Sequence, residues 1–382
     1  MKILIEGTAL MSDKPSGVGQ YTKRLLEAMT KLAPKNEYSV FGFHFFTKKA
    51  LPREWVKHPS LKYRYVRWLP GRGYNQLFKK GIRIPINLLL RQKPDITFFP
   101  NFVRWPLTGK GKSVIVIHDI AFEYFPQYIG AKNLIYLKKQ VPRSLREADH
   151  IVAVSEYTKQ DIMKHYGVSP AKISVVHPAI DHSDYYPRDH KTVAAARTTY
   201  KLPEQYILFV STLEPRKNII GLLDAYALLP QKLQQDFPLI FVGGKGWADT
   251  DLLARFEKYK NLPIRRLGYV PDEDMAAVYS GASLFVYPSF YEGFGMPVVE
   301  AMACGVPVIT SNVSSLPEVV GDGAKLVDPK STPSITKAMI EILENKTLQA
   351  DLRAKGLAEA KKFTWETSAK NLLRVFSELT ER

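Results

Sequence analysis

The first half of the chain alternates between short apolar runs and amphipathic stretches. Its apolar runs predict strands at 2–6, 38–46, 62–68, 95–99, 113–119, 150–155 and 172–178. Apolar residues recur at helical spacing over 17–31, and Ser155 and Gly167 are placed to cap the two ends of a later helix. Short apolar strands separated by helices imply a mostly parallel sheet that is covered on both faces.

A polar, proline-containing stretch at 181–203 interrupts this alternation and predicts a linker with one helix. The alternation then restarts, with a helical tail from 331 and strands predicted at 206–212, 238–244, 263–270, 283–289 and 306–311. The sequence therefore predicts an α/β protein of two Rossmann-like domains, whose parallel sheets face an interdomain cleft, over 1–180 and 204–365. The final helix, 366–382, is expected to pack back on the first domain. Ligands of such sheets bind at the carboxyl ends of the strands.

Composition narrows the class of protein. Of the 382 residues, 45% are hydrophobic and 24% are charged, which is typical of a folded globular chain. No apolar run approaches the roughly 18 residues that would span a bilayer, and the N-terminal stretch has no secretory pattern. A single cysteine, Cys304, excludes an intramolecular disulfide and a cysteine-based metal cluster. A cytoplasmic location is therefore expected.

The net charge of +17 is unevenly distributed. Residues 1–200 carry a balance of +18, and 55–94 hold ten Lys/Arg and no acid. This basic segment could bind nucleic acid, an anionic membrane or a phosphorylated substrate, or it could be a solvated face. Aromatic residues interleave with the cations, which favours an interfacial membrane or acceptor patch. We assign that patch to Trp55, Lys62, Arg64, Arg67, Trp68, Arg72, Lys79 and Lys80.

A glycine-rich stretch, YEGFGMPVVEAMACGVP, follows the strand that ends near Pro288. Pro297 suits the first turn of a helix, and Gly305 would end that helix. Glu292 therefore lies in the loop before the helix, and Glu300 lies one turn inside it. Both carboxylates would flank a helix N-terminus, whose unpaired N–H groups and positive dipole suit a phosphate. Glu300 would then accept hydrogen bonds from nearby hydroxyls.

The whole pattern is more specific than the acidic pair, which alone would usually be an ordinary helix cap. E-G-F-G-M-P-x-x-E-A-M-A-C-G-x-P-V resembles the retaining glycosyltransferases of family 4, which have the GT-B fold. Their signature is a Glu, seven residues and a second Glu, and Glu292 and Glu300 match it. The resemblance covers almost the whole chain, is strongest over 206–330, and implies a nucleotide diphosphate sugar as donor.

Arg216 and Lys217 form a second motif, in the loop between the strand at 206–212 and a helix. Two adjacent cations would neutralise a diphosphate and stabilise the leaving phosphate as the bond to the sugar breaks. An isolated Arg-Lys pair is by default solvated. The family that this sequence resembles carries the same dipeptide at this place, however, which favours the diphosphate assignment.

The first half carries weaker signals. Gly17 and Gly19 open the helix at 17–31, but Thr22 stands where a dinucleotide fingerprint needs a third small residue. This argues against a nicotinamide site. The resemblance implies that this glycine loop approaches the donor phosphate or the acceptor. It also implies that His118, at the end of the strand at 113–119, contacts the donor sugar.

Two short acidic motifs raise the question of a metal. DTD (249–251) and DED (272–274) both fit the first turn of a helix, where acids are favoured by the helix dipole. We therefore expect no metal and no other cofactor. Arg216, Lys217 and the helix N-terminus would supply the charge stabilisation instead.

The resemblance implies a retaining, metal-independent transfer of a hexose by front-face displacement, in which the leaving phosphate helps to deprotonate the acceptor. Catalytic roles are expected for Glu292, Arg216, Lys217 and His118, with Glu300 on the ribose hydroxyls. The backbone around Gly268 is expected to hold the base. Further donor contacts are expected from Gly17, Gly19, Tyr269, Val270, Phe294, Gly295, Met296 and Val299.

The start of the chain and the sequence HDIAFEYFP are similar to bacterial mannosyl- and rhamnosyltransferases that build polysaccharide. GDP-mannose is therefore the expected donor, and a UDP-sugar is the alternative. The basic segment suggests a membrane-borne, phosphate-carrying acceptor, such as a polyprenyl diphosphate-linked saccharide, at the inner face of the cell membrane. A nucleic-acid-binding protein is an alternative from another class, although no nucleic-acid recognition motif accompanies the charge. A further alternative is a sugar-nucleotide epimerase or a phosphorylase of the same fold.

Overall fold

The computed structural model describes residues 1–11, 17–43, 58–67, 69–244 and 250–381. Its first half forms strands whose bounds are β1 Lys2–Glu6, β2 Glu37–Phe43, β3 Leu61–Val66, β4 Ile96–Phe99, β5 Lys112–Ile117, β6 His150–Ala153 and β7 Ile173–Val175. These strands lie in one sheet in the order β3-β2-β1-β4-β5-β6-β7, and every neighbouring pair is parallel.

Helices connect these strands. They are α1 Gly17–Leu32, α2 Gly71–Lys79, α3 Ile86–Leu89, α4 Ala121–Tyr124, α5 Ala131–Glu147 and α6 Glu156–Tyr166. The caps that the sequence predicts for α6 are present. Ser155 Oγ accepts the N–H of Thr158 at 3.0 Å, and Gly167 ends the helix with a left-handed φ of 65°.

The second half has the same alternation of strands and helices. Its strands are β8 Ile207–Val210, β9 Leu239–Val242, β10 Ile264–Gly268, β11 Leu284–Tyr287, β12 Val308–Ser311 and β13 Lys325–Val327. They form a second parallel sheet in the order β10-β9-β8-β11-β12-β13. The helices are α7 His190–Tyr200, α8 Ile219–Ala227, α9 Gln231–Asp236, α10 Thr250–Lys258, α11 Asp272–Ser280, α12 Met296–Ala303, α13 Leu316–Val320, α14 Thr332–Glu344, α15 Lys346–Ala360 and α16 Trp365–Thr380.

The chain divides into two compact units. One comprises Met1–Ile120, Ala131–Ala179 and Trp365–Arg382, and the other comprises Ala121–Gly130 and Ile180–Thr364. Within the first unit α16 packs against α1, with the rings of Tyr21 and Trp365 5.8 Å apart. The end of the chain thus completes the cover of the first sheet, while α4 and the residues after it group with the second sheet.

The α/β architecture of two Rossmann-like parallel sheets is confirmed, and the observed strands are mostly a few residues shorter than the apolar runs. β13 and α5 were among the elements that were not predicted. β13 has only three residues, and α5 lacks an acidic first turn and contains Pro142, which normally breaks a helix. Residues 44–46 and 68, at the ends of two predicted strands, lie outside the described residues.

The inner strands of both sheets are mostly apolar on both faces, as parallel sheets covered by helices require, whereas the edge strands β3 and β10 carry partly exposed charged residues. β5, β9 and β11 each have four or more consecutive buried residues. Within the described ranges, no helix combines the length and the apolar composition that crossing a membrane would need.

Candidate functional site

The candidate site lies at the ends of the two central strands of the second sheet. β8 and β11 are neighbours, but the chain continues from β8 to β9 on one side and from β11 to β12 on the other. Ligands of open parallel sheets bind at such a reversal, outside the carboxyl ends of the strands. Arg216 and Lys217 follow β8, in a 3₁₀ turn over Pro215–Lys217, and Glu292 follows β11.

Glu292 forms ion pairs with both cations. Its Oε1 accepts from Lys217 Nζ at 2.7 Å, and its Oε2 accepts from Arg216 Nη1 at 3.0 Å. The main chain joins the same two loops. The Phe290 N–H donates to the Arg216 carbonyl at 3.0 Å, and Arg216 Nη1 donates to the Tyr291 carbonyl at 2.5 Å. The structure therefore brings together the two motifs that the sequence singled out.

The pair of Glu292 and Lys217 is almost fully shielded, with 6% and 8% of each residue exposed. Burial alone would raise the pKa of Glu292, but Lys217 and Arg216 outweigh it and lower the pKa to about 2. Burial lowers the pKa of Lys217, and Glu292 opposes that shift. Arg216 also lies 3.6 Å from Glu214, so the formal charges of these four side chains cancel.

Tyr287 completes the surroundings of the lysine. It is the last residue of β11 and is fully buried. Its hydroxyl accepts from Lys217 Nζ at 2.9 Å. With Glu292 and Tyr287 both accepting from it, the ammonium is held at a fixed point at the carboxyl edge of the sheet.

The loop before α12 is held by serines from the segment after β12. Ser314 Oγ accepts the N–H of Glu292 at 3.1 Å. Ser315 Oγ lies within hydrogen-bond distance of the carbonyls of Glu292 and Phe294, at 3.0 and 3.1 Å. The carboxylate of Glu292 is thus fixed by its own backbone as well as by its ionic partners.

The start of α12 has the geometry expected of the glycine-rich motif. Gly295 precedes the helix with a φ of 103°, and a Cβ on it would come within 2.7 Å of Leu316. Met296 is the first helical residue and is half-buried, whereas Phe294 and Val299 are buried. The first turn of this helix therefore follows directly on the Glu292 loop.

Glu300 lies one turn inside α12, as predicted, and is half-buried. Its Oε2 accepts from the hydroxyl of Tyr279, on α11, at 2.9 Å. Burial raises the pKa of Glu300 to about 7, the tyrosine hydrogen bond opposes the shift, and Asp272 adds to it. This carboxyl group is therefore close to half-ionised at neutral pH.

The segment expected to hold the base lies at the end of β10. Gly268 has a φ of 78°, and its carbonyl accepts from the N–H of Gly243 at 2.8 Å. Tyr269 is 61% exposed, whereas Val270 is 3% exposed. The backbone here turns sharply at the carboxyl edge of the same sheet.

The candidate residues of the first unit lie around its own strand ends. Gly17 and Gly19 are in the first turn of α1, and a Cβ on Gly17 would meet no described atom within 4 Å. His118 directly follows β5, and its Nε2 lies 2.7 Å from the Pro100 carbonyl. Because a carbonyl only accepts, Nε2 carries the proton. Burial lowers the pKa of His118, which favours the neutral ring.

The basic segment extends over β3 and α2. Trp55 and Trp68 lie outside the described residues. Arg64 is half-buried, and the cations that are exposed are Lys62, Arg67, Arg72, Lys79 and Lys80.

A second element enlarges this basic region. Lys139 on α5 donates to the Lys79 carbonyl at 3.4 Å, and Lys79 Nζ lies 5.1 Å from the centre of the Tyr136 ring. We call the joined face of α2, the residues directly after it and α5 the basic surface. We define it by the exposed residues Lys79, Lys80, Ile82, Lys132, Ile135, Lys138 and Lys139.

The acidic motifs are described only in part. Asp272, Glu273 and Asp274 form the first turn of α11, as predicted, while 245–249 lie outside the described residues. Among the described residues, no group of three His, Cys, Asp or Glu side chains could hold a metal ion.

Sequence reasoning missed several residues that build the site. Tyr287 lies within the strand predicted at 283–289, so its position in a strand could be predicted, but its contact with Lys217 could not. Tyr279 contacts Glu300 from a different helix, and Ser314 and Ser315 reach the loop from beyond β12. No local pattern marks these side chains, because only the tertiary fold brings them together.

Two family models match the chain. Residues 15–184 match the model described as Glycosyltransferase Family 4, and residues 194–359 match the model described as Glycosyl transferases group 1. Together the matched segments contain the glycine loop, His118, the Arg-Lys dipeptide and the motif of Glu292 and Glu300.

Curated relatives are similar over about two thirds of the chain. The O-antigen chain mannosyltransferase B of Escherichia coli is 40% identical over 267 residues, which are 69% of this chain and 70% of that protein. The serotype-specific mannosyltransferase WbdA of Escherichia coli is 31% identical over 280 residues, 71% of this chain but 34% of that protein.

Solved structures share the fold over nearly the full length. The sucrose-phosphate synthase of Thermosynechococcus elongatus has a TM-score of 0.74 at 21% identity, covering 99% of this chain and 98% of that chain. WaaG, a glycosyltransferase involved in lipopolysaccharide biosynthesis, has a TM-score of 0.71 at 16% identity, covering 98% and 99%. At these identities the likeness concerns the fold, which is GT-B.

Proposed function

The chain is a glycosyltransferase that belongs to the glycosyl transferases group 1, and on this premise we propose a retaining, metal-independent transfer of a hexose from a nucleotide diphosphate sugar to a saccharide acceptor. The observation that carries this proposal is the contact of Arg216 and Lys217 with Glu292 at the reversal point of the second sheet. The carboxyl ends of the strands there bring together two cations, a carboxylate and the start of a helix.

The diphosphate is proposed to bind to Arg216 and Lys217. An arginine has five N–H donors and a lysine has three, so both can hold Glu292 and still donate to phosphate oxygens. The neutral cluster of Arg216, Lys217, Glu214 and Glu292 becomes negative when the diphosphate arrives. Additional positive potential then comes from the N-terminus of α12, where the positive end of the helix dipole lies.

Glu292 is proposed to orient hydroxyls of the donor sugar. It stays ionised throughout the neutral range because its pKa is about 2, so it acts as an acceptor and not as an acid. Phe294, Gly295 and Met296 supply the backbone beside it. Because Ser314 and Ser315 fix this loop, the carboxylate is already positioned before the sugar arrives, which lowers the cost of ordering it.

Glu300 is proposed to accept hydrogen bonds from the ribose hydroxyls, and the backbone of Gly268, Tyr269 and Val270 is proposed to hold the base. Glu300 is half-buried. Its contact with Tyr279 fixes the orientation of the group. In the first unit, Gly17, Gly19 and His118 are proposed to contribute contacts to the sugar and phosphate.

The proposed chemistry needs no nucleophilic side chain. The bond from the anomeric carbon to the diphosphate oxygen breaks, and the acceptor oxygen bonds to the same face of the sugar. The acceptor proton passes to the leaving phosphate oxygen. The protein then acts by holding the reactants together and by stabilising the charge that develops on the diphosphate, which is the role of Arg216 and Lys217.

Mannose from GDP-mannose is the proposed donor, and the identity of 40% to a mannosyltransferase supports it. That relative is named for the O-antigen chain, so a growing polysaccharide is the proposed acceptor. A UDP-sugar is the alternative donor, because a few loop contacts decide the selectivity for base and sugar.

A membrane-borne acceptor, such as a polyprenyl diphosphate-linked saccharide, is proposed on the evidence of the basic surface. α5 has no acid among residues 131–146, where five cations occur. Ile135 is 70% exposed and Ile82 is 50% exposed beside these lysines. Apolar side chains among lysines are the combination that binds an anionic bilayer from one side.

The test is a donor panel with a mannose-terminated oligosaccharide as acceptor. We expect release of GDP from GDP-mannose, transfer of mannose, and an α-linkage from the α-donor by nuclear magnetic resonance. An inverted linkage would refute the retaining assignment. Transfer from UDP-sugars alone would refute the donor assignment, and no nucleotide release from any donor would overturn the function.

A further inference from the structure

Residues 121–130, which we call the α4 segment, follow β5 in the chain but group with the second unit. The segment consists of α4 and a 3₁₀ turn over Pro126–Tyr128. The N–H of Phe125 donates to the Ala121 carbonyl at 2.8 Å, and the rings of Phe125 and Tyr128 stack with their centres 6.1 Å apart. The proposed reaction assigns no role to this aromatic segment.

Tyr291 is the residue of the candidate site that the α4 segment contacts. The ring centres of Tyr124 and Phe125 lie 5.4 and 6.0 Å from that of Tyr291, which are distances of attractive aromatic pairs. Tyr291 is 4% exposed, whereas Tyr124 is exposed and Phe125 is half-buried. The buried ring of Tyr291 is thus held by two rings from a distant part of the sequence.

The backbone around Tyr291 in turn holds Arg216. The Tyr291 carbonyl accepts from Arg216 Nη1 at 2.5 Å, and the Phe290 N–H donates to the Arg216 carbonyl at 3.0 Å. A shift of this backbone would therefore disturb both the main chain and the guanidinium of Arg216.

The two acceptors of Arg216 Nη1 fix the direction of the guanidinium. This nitrogen donates to Glu292 Oε2 at 3.0 Å as well as to the Tyr291 carbonyl. Because Nη1 carries two hydrogens, it can bind both acceptors at once. A single acceptor would leave the guanidinium able to rotate about that one contact, whereas two acceptors define its plane.

We propose that Tyr291 is a positioning residue for Arg216, and that Tyr124 and Phe125 of the α4 segment hold Tyr291 in place. The ring of Tyr291 fixes its own carbonyl, and the carbonyl fixes the guanidinium. Donors that are already oriented stabilise a developing charge without reorganising during the reaction. This inference rests on the proposed function, because it acts through the proposed contact of Arg216 with the diphosphate.

The first test is Tyr291→Leu, with GDP-mannose as donor and mannotriose as acceptor. We expect kcat to fall about tenfold, because a displacement of about 1 Å at a positioning group costs up to about a hundredfold in rate. The KM for mannotriose should stay unchanged, and Tyr291→Phe, which keeps the ring, should retain the wild-type kcat. If the wild type uses a UDP-sugar instead, the same test applies with that donor, since the diphosphate is common to both.

The matched control is Phe256→Leu on α10. It removes an aromatic contact of the same kind, at 5.4 Å from the Phe241 ring, in the same unit. Its kcat should equal that of the wild type. A fall in kcat as large as that of Tyr291→Leu would overturn the proposal, because any loss of aromatic packing would then have the same effect.

A double variant separates positioning from a general effect on the fold. If Tyr291 acts through Arg216, Tyr291→Leu should cause no further loss of kcat in an Arg216→Ala background, because the group that it positions is gone. An equal fold-loss of kcat in both backgrounds would overturn the proposal, since the ring would then act independently of the guanidinium.

Substitutions in the α4 segment keep the inference testable if Tyr291→Leu folds poorly, since neither Tyr124 nor Phe125 is fully buried. Tyr124→Leu and Phe125→Leu together should lower kcat nearly as much as Tyr291→Leu, again with the KM for mannotriose unchanged. Wild-type kcat in that double variant, or in Tyr291→Leu, overturns this inference and leaves the proposed function intact. A wild-type protein that transfers no sugar from any donor refutes the proposed function and this inference with it.

Discussion

Lys217 and Glu292 are 75 residues apart in the chain, yet Nζ and Oε1 lie 2.7 Å apart. The contact joins the loop after β8 to the loop after β11, the two strands between which the order of the second sheet reverses. It is also almost fully shielded from water. The ion pair therefore forms where the strand order of the second sheet reverses, which is where the charged side chains of the site lie.

We predict that Glu292→Gln destabilises the protein by about 3–5 kcal/mol, because it leaves the Lys217 ammonium buried without its counter-charge. Lys217→Met in the same chain should restore most of that stability, since neither charge then remains. The free energy of unfolding, measured by urea titration for both single variants and the double variant, gives the coupling between the two sites.

The same pair sets a pH dependence. The pKa of Glu292 is about 2, below the ordinary value near 4.5, so its contribution is present above pH 4.5 and is lost as the pH falls toward 2. The double variant should lose less stability than the wild type over this interval. Additive effects of the single substitutions would contradict the coupling.

Replacing Arg216 tests the assignment of the diphosphate. We predict that Arg216→Ala lowers kcat about 10²–10³-fold, the usual loss when one donor to a developing charge is removed. The acceptor KM should change little. Arg255→Ala is the matched control, because Arg255 pairs with Asp224 at 2.5 Å outside the site, and should leave kcat unchanged. Wild-type turnover in Arg216→Ala would show that the guanidinium does not act on the diphosphate.

Hydrophobic patterning was enough to predict the fold, because strands of parallel sheets are nearly continuous apolar runs. It also placed Arg216 and Glu292 in loops that follow predicted strands of the second domain, but it did not predict that the two side chains meet. The pattern failed for α5, where Pro142 lies inside the helix, and for β13, which has three residues. In both cases tertiary packing overrides the local signal.

The charge pairing within the site could be predicted less well from the sequence than the fold could. The Arg-Lys dipeptide suggested two cations that bind a diphosphate, whereas in the structure both cations form ion pairs with Glu292. The ion pairs of the site thus depend on which side chains the fold brings together, and sequence patterns do not contain that information.

Donor binding should depend on pH through Glu300, whose pKa is raised to about 7. Because the proposed role of the carboxylate is to accept from ribose hydroxyls, affinity should rise as the group ionises and fall as it takes up a proton. Between pH 8 and pH 6 the ionised fraction drops about tenfold, and the affinity for GDP-mannose should fall by a similar factor. Calorimetric titration at both pH values measures this.

Glu300→Gln provides the comparison, because its amide does not titrate. Its affinity at pH 8 should resemble that of the wild type at pH 6, and it should vary little between the two. GDP-mannose is used because its phosphates keep their charge over this range, unlike the terminal phosphate of GDP. A wild-type affinity for GDP-mannose that is the same at pH 6 and pH 8 would contradict the proposed contact of Glu300 with the ribose.

Turnover should not require a metal. Asp272, Glu273 and Asp274 are explained by the first turn of α11, and the cationic dipeptide is proposed to hold the diphosphate. We predict that excess EDTA, followed by dialysis, leaves the transfer rate within about twofold, and that added Mg²⁺ or Mn²⁺ gives no stimulation beyond the effect of ionic strength. A rate that disappears with EDTA and returns with one cation would reverse this assignment.

The basic surface predicts binding to anionic membranes. Each lysine near such a surface contributes about 1 kcal/mol, so replacing Lys132, Lys138 and Lys139 by Gln should weaken binding about a hundredfold. We expect the wild type to float with vesicles of phosphatidylcholine and phosphatidylglycerol, but not with phosphatidylcholine alone. Raising the salt concentration should release it, because screening acts on exposed charges.

Two controls separate the basic surface from the overall charge of the chain. Lys330→Gln, Lys346→Gln and Lys361→Gln together remove the same charge from exposed positions of the second unit and should leave flotation unchanged. Ile135→Ser keeps every charge but removes the most exposed of the large apolar side chains on α5, and it should weaken binding by a smaller factor. Equal loss in both triple variants would mean that net charge alone drives the association, and the surface formed by α2 and α5 would then have no special role.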